Sequence, residues 1–347
     1  MIRNDGTVWT AGVNKFGQLG IDGKTDTMMT NFVKVLSGGA KAVAAGEGHS
    51  MVLKHDGSVW ATGMNTHGQL GIGSNINRHS FVQVVPSHTK AVAAGAKHSL
   101  VVMQNGTVCA AGFNLYGQLG DGSTNSRISF VKVISDGAHT AAAGSDHSMV
   151  LKQDGSVWTT GLNWRGQLGD GPPGIKTVFI KIISSRAKAI AAGGFHSMVL
   201  KDNGGVWATG ENNYGQLGDE TTTATFRMHL VVRGAKAIAA GDDHSIVLKQ
   251  DGSVWATGRN DHGQLGDGQI ISSAHFVQVI SSGVQMVATG NWHSMIVKYD
   301  GSLWATGANS YGQLGDGSTI AKDIFVRVDL SRDGALCAIP QDCMICS

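Results

Sequence analysis

DGTVWTAGVNKFGQLG, at residues 5–20, is the stretch that decides the fold, because close copies of it recur along the whole chain. Its ending, Gly-Gln-Leu-Gly, is found at Gly17–Gly20, Gly68–Gly71, Gly117–Gly120, Gly166–Gly169, Gly215–Gly218, Gly263–Gly266 and Gly312–Gly315. The position after the valine, which is Leu303 in the last copy, is occupied by Trp9, Trp60, Cys109, Trp158, Trp207, Trp255 and Trp304. These positions set a period of about 49 residues, and self-similarity at such a period indicates a repeat architecture.

A second phrase, of the form Ala-x-Ala-x-Ala-Ala-Gly-x-x-His-Ser, lies between the copies of the first and precedes an alternating apolar run. It occurs six times, three of them with substitutions before the shared Gly-x-x-His-Ser, and its histidines are His49, His98, His147, His196, His244 and His293. Residues one period apart lie in different repeats and cannot converge on one metal ion. We therefore interpret the histidines as structural, and the serine after each one suggests a local hydrogen bond.

Each period resolves into four short strands, represented by Phe32–Val35, Ala40–Ala45, Ser50–Lys54 and Ser58–Thr62. Asp56-Gly57 and its equivalents predict a tight hairpin turn, because glycine accepts a positive φ. No segment has the 3.6-residue period of an amphipathic helix. About 50 residues with four strands is typical of a propeller blade, so the sequence predicts an all-β, seven-bladed β-propeller with four short antiparallel strands per blade.

The small alanine-rich strands are expected nearest the propeller axis, and the tryptophans between blades. Residues 1–339 are predicted to form this single propeller, and 340–347 a short cysteine-containing tail. The seventh histidine phrase is missing near the carboxyl end. We expect Ala335–Ile339 to supply the inner strand of the blade that continues with Ile2–Arg3 and Thr7–Ala11, although a fragment of a longer protein would explain the missing phrase equally well.

Composition limits the classes of function. The chain has 50 glycines and 4 prolines in 347 residues, which together with a mean hydropathy near zero excludes a disordered or collagen-like chain. The net charge of +2 and the absence of a basic run argue against direct nucleic-acid binding. No apolar run has the length of a signal peptide or a membrane span, so a protein of the cytoplasm, the nucleus or both is expected, without membrane contact.

The sequence predicts no metal, no cofactor and no catalytic residues. Of the four cysteines, Cys337, Cys343 and Cys346 crowd the carboxyl end, and the C-x-x-C spacing of the last two lacks the second pair that a structural zinc site needs. The glycine-rich stretch Gly169–Gly174 contains two prolines and precedes no helix, so it does not cradle phosphate. Motifs of metalloproteases, serine hydrolases and nucleotide-binding loops are absent. We therefore expect a protein that is not an enzyme.

The paired phrases Gly-x-Val-Trp-x-x-Gly-x-Asn-x-x-Gly-Gln-Leu-Gly and Ala-Ala-Gly-x-x-His-Ser resemble the repeat of the regulator of chromosome condensation family, from about Asp5 to about Val328. The resemblance implies the seven-bladed propeller. Members include an exchange factor for the GTPase Ran, a plant ultraviolet-B photoreceptor and propeller domains of ubiquitin ligases. The fold does not choose among these activities.

Two of these activities can be weighed against the residues. The photoreceptor is similar in sequence but places tryptophan directly after the glycine of the Gly-x-x-His phrase. This chain has Glu47, Ala96, Ser145, Gly194, Asp242 and Asn291 there. An exchange factor is expected to carry an inserted wedge that lengthens one period, whereas the periods here are nearly equal. Exchange on a Ran-like GTPase is kept as the alternative to a non-catalytic scaffold for protein–protein interaction.

Strand order predicts that the Gly-x-x-His loops and the Asn-x-x-Gly-Gln-Leu-Gly loops share one face, which is where a partner would bind. Tyrosine, tryptophan and arginine are favoured at interface hot spots. The candidate contact residues are Trp164, Arg165, Phe195, Tyr214, Asp242, Asp243, Trp292 and Tyr311. Alternatively, the aromatic residue of each loop packs on the neighbouring blade's loop. The resemblance suggests a small GTPase or a component of the ubiquitin pathway as the partner.

Overall fold

The structure is a computed structural model that describes residues 1–23 and 26–330. Every regular element in these residues is a β-strand, which confirms the all-β prediction. None of the described residues forms a helix with the length and hydropathy needed to cross a bilayer. The strands form six sheets of four antiparallel strands and one sheet of two.

The four-stranded sheets are numbered as blades 1–6 along the chain. Blade 1 contains β3 Ala40–Ala45, β4 His49–Lys54, β5 Val59–Gly63 and β6 Arg78–Val85. Blade 2 contains β7 Thr89–Ala94, β8 His98–Met103, β9 Val108–Gly112 and β10 Arg127–Ile134. Blade 3 contains β11 Ala138–Ala143, β12 His147–Lys152, β13 Val157–Leu162 and β14 Ile175–Ile183.

Blade 4 contains β15 Ala187–Ala192, β16 His196–Lys201, β17 Val206–Gly210 and β18 Thr225–Val232. Blade 5 contains β19 Ala235–Ala240, β20 His244–Lys249, β21 Val254–Gly258 and β22 Ser273–Ile280. Blade 6 contains β23 Val284–Thr289, β24 His293–Lys298, β25 Leu303–Gly307 and β26 Lys322–Arg327. The two-stranded sheet contains β1 Val8–Val13 and β2 Met28–Leu36.

The prediction of seven four-stranded blades is wrong, because the described residues form six. Seven copies of Gly-Gln-Leu-Gly suggested seven blades, but the Ala-rich strand and the histidine strand after it occur six times. The β1–β2 sheet has neither, and Ile2 makes only an isolated bridge to Val8. It lies between blades 6 and 1, where Asn31 bridges to Asp316. Ala335–Ile339, the proposed closing strand, and the tail 340–347 lie outside the described residues.

Each blade follows the chain from its inner edge outward. The first strands of neighbouring blades contact one another around the axis, as the small side chains of the alanine-rich segments allow. The second and third strands are joined by the predicted Asp-Gly turn. In blade 1, Gly57 has a φ of 79°, and the backbone N–H of Ser58 donates to Asp56 Oδ1 at 2.8 Å. These turns lie on the face opposite the Gly-x-x-His loops.

The hydrophobic core lies between successive blades. One cluster joins Leu100, Val102 and Leu119 of blade 2 to Ala141 and Val150 of blade 3. The repeated tryptophans contribute at the outer edge of these clusters and are half-buried, except for the buried Trp9. A cation covers the ring in most copies, as Lys54 does over Trp60, with Nζ 4.2 Å from the ring centroid. The tryptophans therefore seal the spaces between blades and do not fill their centres.

The last glycine of Gly-Gln-Leu-Gly packs tightly against the next blade. Gly71 has a φ of 70°, and a Cβ atom added to it would lie 2.4 Å from the ring of Phe130 on the outer strand of blade 2. The same arrangement pairs Gly120 with Phe179 and Gly218 with Phe276. Gly169 instead faces Met228, whose Cγ would lie 3.2 Å from an added Cβ. At Gly71, Gly120 and Gly218 a side chain is excluded by both backbone conformation and space, whereas at Gly169 the backbone conformation is the main obstacle.

Candidate functional site

Five of the six histidines link one blade to the next and do not make the local hydrogen bonds that the sequence suggested. His49 of blade 1 contacts Ser99 of blade 2, with Nε2 and Oγ 2.8 Å apart. Ser99 Oγ donates in turn to the carbonyl of Gln69 at 2.8 Å, in the loop that follows β5. The same linkage is formed by His98, His147, His196 and His244 with the serine of the following blade. Each His–Ser linkage therefore holds the loop after a third strand from its buried side.

These linkages fix the protonation state of the histidines. Since Ser99 uses its only hydrogen toward Gln69, His49 must donate from Nε2, which leaves Nδ1 without a proton. Nδ1 of this ring and of its equivalents is buried and has no hydrogen-bond partner. Protonation there would create a buried, unpaired cation. Burial lowers the pKa of His98, His147 and His244 to about 3, and it lowers the pKa of His49 and His196 to about 4.

The loop after each third strand, called here the Asn loop, is held by its own side chains. In blade 2 the Asn114 Oδ1 accepts from the backbone N–H of Leu119 at 2.9 Å, while Nδ2 donates to Asp121 Oδ1 at 3.1 Å. Gln118 Oε1 accepts from the backbone N–H of Tyr116 at 3.1 Å. The consequence is a rigid loop whose two variable residues, at positions such as 115 and 116, project outward.

The Asn loops and the Gly-x-x-His loops meet on one face, as predicted. The backbone N–H of Phe113 donates to the carbonyl of Lys97 at 2.8 Å, and that of Glu211 donates to the carbonyl of Phe195 at 2.8 Å. The Gly-x-x-His loops also bond to one another around the axis, as in the 3.2 Å bond from Ser145 N to Gly194 O. We call this combined surface the loop face.

A row of rings crosses the loop face over blades 1–3. Phe113 packs on His67 with centroids 5.0 Å apart, and on Tyr116 at 6.1 Å. Tyr116 meets Trp164 edge to face at 5.9 Å. Trp164, at the end of the row, remains 59% exposed. The inner rings thus pack on neighbouring loops, as the alternative interpretation held, whereas the Trp164 indole is available for contact.

A second group, over blades 4 and 5, combines aromatic and charged side chains. The Arg259 guanidinium lies 4.9 Å from the Tyr214 ring centroid, 3.2 Å from Asp243 Oδ2 and 2.7 Å from Asp261 Oδ2. The hydrogen bonds to Asp261 and Asp243 raise the pKa of Arg259 above the usual value of an arginine. The cation is therefore permanent and fixed by three partners, and it holds Tyr214 in place.

Asp242 has the most displaced carboxyl pKa on this face. Burial and the nearby charge of Asp243 raise the pKa of Asp242 to about 6, although Arg259 opposes the shift. Burial also raises the pKa of Glu211, against the effect of Arg165, whose Nε lies 3.7 Å from Glu211 Oε1. A carboxyl with a pKa near 6 changes charge close to neutral pH, so the charge of this region depends on mild acidification.

The remaining candidate contact residues, Trp292, Tyr311 and Phe195, lie outside these two groups. Trp292 is 39% exposed and contacts His262, with ring centroids 5.6 Å apart. Tyr311 is 54% exposed, with its backbone N–H bonded to Gln313 Oε1 at 2.9 Å. Phe195 is half-buried beside the axis. The structure thus brings Arg165 to Glu211 and joins Tyr214 to Asp243 through Arg259, while Trp164 and Trp292 stand in separate groups.

Sequence reasoning missed three contributors to this face: Phe113, Glu211 and Arg259. Each occupies the variable position between glycine and asparagine in Gly-x-Asn, directly after the third strand. A comparison of this position across the seven copies would have revealed Glu211 as its one acidic residue and Arg259 as its one basic residue. The remaining copies have Val13, Met64, Leu162 and Ala308. Among residues 1–23 and 26–330, no group of three or more histidine, cysteine, aspartate or glutamate side chains could hold a metal ion.

Four-stranded blades around an axis, with anchored loops on one face, define a β-propeller repeat protein. The chain belongs to the family described as the Regulator of chromosome condensation (RCC1) repeat. One profile of that description matches residues 5–53, 56–102, 154–200, 203–248 and 251–297. A second matches residues 40–69, 90–118, 139–167, 187–216, 235–264 and 284–313.

Among characterised relatives, the secretion-regulating guanine nucleotide exchange factor of Bos taurus is 41% identical over 66 residues. That match covers 18% of this chain and 14% of the relative, so it spans a small part of both proteins. Two solved structures are similar in fold. Human WBSCR16 has a TM-score of 0.84 and 22% identity, covering 93% of this chain and 94% of the other. Prp20p of Saccharomyces cerevisiae has been studied for its binding to Gsp1p and histones. Its structure has a TM-score of 0.82 and 20% identity, and the match covers 96% of this chain and 88% of Prp20p.

Proposed function

We propose that this chain is a non-catalytic scaffold that binds a protein partner through its loop face. The observation that carries the proposal is the exposure of Trp164 and Trp292 on loops whose backbones are anchored from within. A rigid aromatic side chain buries a large area on binding and loses little conformational entropy, which is why tryptophan dominates interface hot spots. Arg165 follows Trp164 in the same Asn loop, and Tyr214 lies in the Asn loop of the next blade.

A small GTPase is the first partner to test. The support is similarity alone: the chain resembles an exchange factor over a short segment and has the fold of Prp20p, whose binding to Gsp1p has been studied. A component of the ubiquitin pathway is the next class to test. A location in the cytoplasm or nucleus remains a prediction, which imaging of a fluorescently tagged chain would test.

Replacing Trp164 and Trp292 together by alanine should weaken partner binding at least about a hundredfold, since hot-spot truncations cost about 2 kcal/mol or more each. The chain, immobilised, would be used to recover partners from cell extract, and the affinity of a recovered partner would then be measured by calorimetry. Both indoles are substantially exposed, so the melting temperature should change little.

The matched control is Tyr299→Ala, because Tyr299 is 64% exposed but lies beside an Asp-Gly turn on the opposite face. This variant should bind the partner as the unaltered chain does. If Trp164→Ala/Trp292→Ala retains full affinity while Tyr299→Ala loses it, the partner binds the turn face and the assignment of the loop face fails.

Guanine nucleotide exchange is the second candidate, supported by the 41% identical segment. The Asn loops weigh against it, because connections 64–77, 113–126, 211–224, 259–272 and 308–321 are equally long and 163–174 is shorter, so none carries an inserted wedge. We expect no acceleration of fluorescent GDP release from a Ran-type GTPase at concentrations that saturate binding. Accelerated release, lost in the double tryptophan variant, would establish exchange activity instead.

A further inference from the structure

The strongest feature outside the loop face is a set of cations around the opposite end of the axis. The second residue of the first strand is basic in five of the six blades. These residues, called here the basic collar, are Lys41, Lys90, His139, Lys188 and Lys236. Blade 6 has Gln285 at this position. Because the first strands of neighbouring blades contact one another around the axis, equivalent positions on them encircle it.

A β-bulge recurs at each of these positions. In blade 1 the pairing of the first and second strands shifts register between Ala40 and Ala42, so Lys41 is the extra residue. The same shift brackets Lys90, His139, Lys188 and Lys236. A bulged residue leaves the in-and-out alternation of its strand, which can re-aim its side chain.

The solvent exposure of the collar residues agrees with a side chain that points away from the core. Ala40, Thr89, Ala138 and Ala235, which directly precede collar residues, are buried. The collar residues themselves are exposed at His139 and Lys188 and half-exposed in the other blades. The bulges therefore turn cationic side chains away from the packing between blades and toward solvent at this end of the axis.

The turn aspartates on this face remain ionised, but none of those described forms an ion pair with Lys90, Lys188 or Lys236. Turn aspartates are engaged locally, as Asp154 is by the backbone N–H and hydroxyl of Ser156, and Asp202 pairs with Arg186. Within the described residues, Lys90, Lys188 and Lys236 make no ion pair; Lys236 Nζ instead lies 3.2 Å from the Tyr299 hydroxyl. Several ammonium groups are thus available to an anion from outside.

The opposite end of the axis has the reverse charge. Glu47, Asp146, Asp242 and Asp243 occupy the Gly-x-x-His loops, where Lys97 is the one cation in the equivalent positions of blades 1–6. An acidic ligand would be repelled from the Gly-x-x-His loops and attracted to the collar. The collar also contains no arginine, and lysine ammonium groups act as mobile point charges without the planar fork that fixes a ligand's geometry. This favours a flexible, carboxylate-rich ligand.

We propose that the basic collar is a second docking site, which takes an acidic polypeptide segment with several consecutive aspartates or glutamates from a partner protein. It uses the face opposite the proposed partner-binding surface and does not depend on that surface. Binding rests on charge complementarity at an exposed site, so it should weaken steeply as salt concentration rises.

The test measures fluorescence anisotropy of a labelled octa-glutamate peptide titrated with the full chain, beside an octa-glutamine peptide. Lys90→Glu/Lys188→Glu should lose about tenfold in affinity, because reversing two exposed charges amounts to roughly 1.4 kcal/mol. The control Lys34→Glu/Lys132→Glu makes the same change in net charge on exposed positions of outer strands, and should lose less than about twofold. Trp164→Ala/Trp292→Ala should bind the peptide normally, which separates this site from the loop face.

Three results would overturn the proposal. No binding of octa-glutamate at low salt would mean that the collar is only a solvated set of basic side chains. Equal losses in the two charge-reversed variants would mean that net charge alone attracts the peptide. Tighter, collar-dependent binding of a single-stranded oligonucleotide of equal charge would assign the site to nucleic acid instead of an acidic polypeptide.

Discussion

Mild acid should unfold this protein steeply, between about pH 6.5 and pH 4. His49, His98, His147, His196 and His244 are buried and neutral, with folded-state pKa values lowered to about 3 or 4. In the unfolded chain a histidine has a pKa of about 6.5. The unfolded state therefore binds more protons in this window, so the free energy of unfolding falls as pH decreases.

The expected size of this effect is large. Each histidine contributes about 1.4 kcal/mol per pH unit below its unfolded pKa, so these five and His293, whose pKa burial also lowers to about 4, together remove about 8 kcal/mol per unit. Asp242 opposes the loss by about one proton, because its folded pKa is raised to about 6 and the folded state therefore binds a proton more readily. Denaturant unfolding followed from pH 7.5 to pH 5 should show a net uptake that rises to about five protons at pH 5.

His147→Gln is the matched variant for this prediction. A glutamine amide can still donate to Ser197 but does not titrate, so the variant should take up about one proton fewer on unfolding, whatever its stability at neutral pH. Stability that stays constant from pH 7 to pH 5 would contradict the assignment of neutral, buried histidines.

Gly71→Ala should destabilise the fold by about 2 to 5 kcal/mol. A positive φ of 70° costs an alanine about 1 to 2 kcal/mol, and its Cβ would lie 2.4 Å from the Phe130 ring, where overpacking costs about 1 to 3 kcal/mol more. Chemical denaturation of the variant beside the unaltered chain measures the difference.

The chain supplies its own control at Gly169. Gly169 has a similar φ of 74° but faces the flexible Met228, so Gly169→Ala should cost only about 1 to 2 kcal/mol. Phe130→Met should then recover part of the loss in Gly71→Ala, with a favourable coupling in a double-mutant cycle. Equal losses at both glycines, without recovery, would show that the ring contact contributes nothing.

The sequence predicted the strands well because a local pattern determines them. Ala40–Ala45 was predicted with its observed ends, and the strand expected from Ser50 begins one residue earlier, at His49. The number of four-stranded blades was wrong because it was counted from Gly-Gln-Leu-Gly. That phrase forms the loop after the third strand of a blade. The first and second strands come from the histidine phrase, which occurs six times.

The site was harder to predict because its contacts join residues about one period apart. His49 was expected to bond locally, but its partner is Ser99, on a strand that only the assembled ring brings near. The basic collar escaped notice for the same reason, since Lys90 and Lys188 are far apart in the chain and form no basic run. In a repeat protein, comparing equivalent positions across repeats reveals charge that a scan along the chain misses.

The most direct test of the loop face as a partner-binding surface is hydrogen–deuterium exchange of the full chain, free and bound to a recovered partner. We expect protection on binding in the peptides that contain 162–166, 211–215 and 290–293, with unchanged exchange in the Asp-Gly turns around 56–57, 154–155 and 251–252. Protection confined to those turns, with the loops around Trp164 and Trp292 unaffected, would contradict the proposed function.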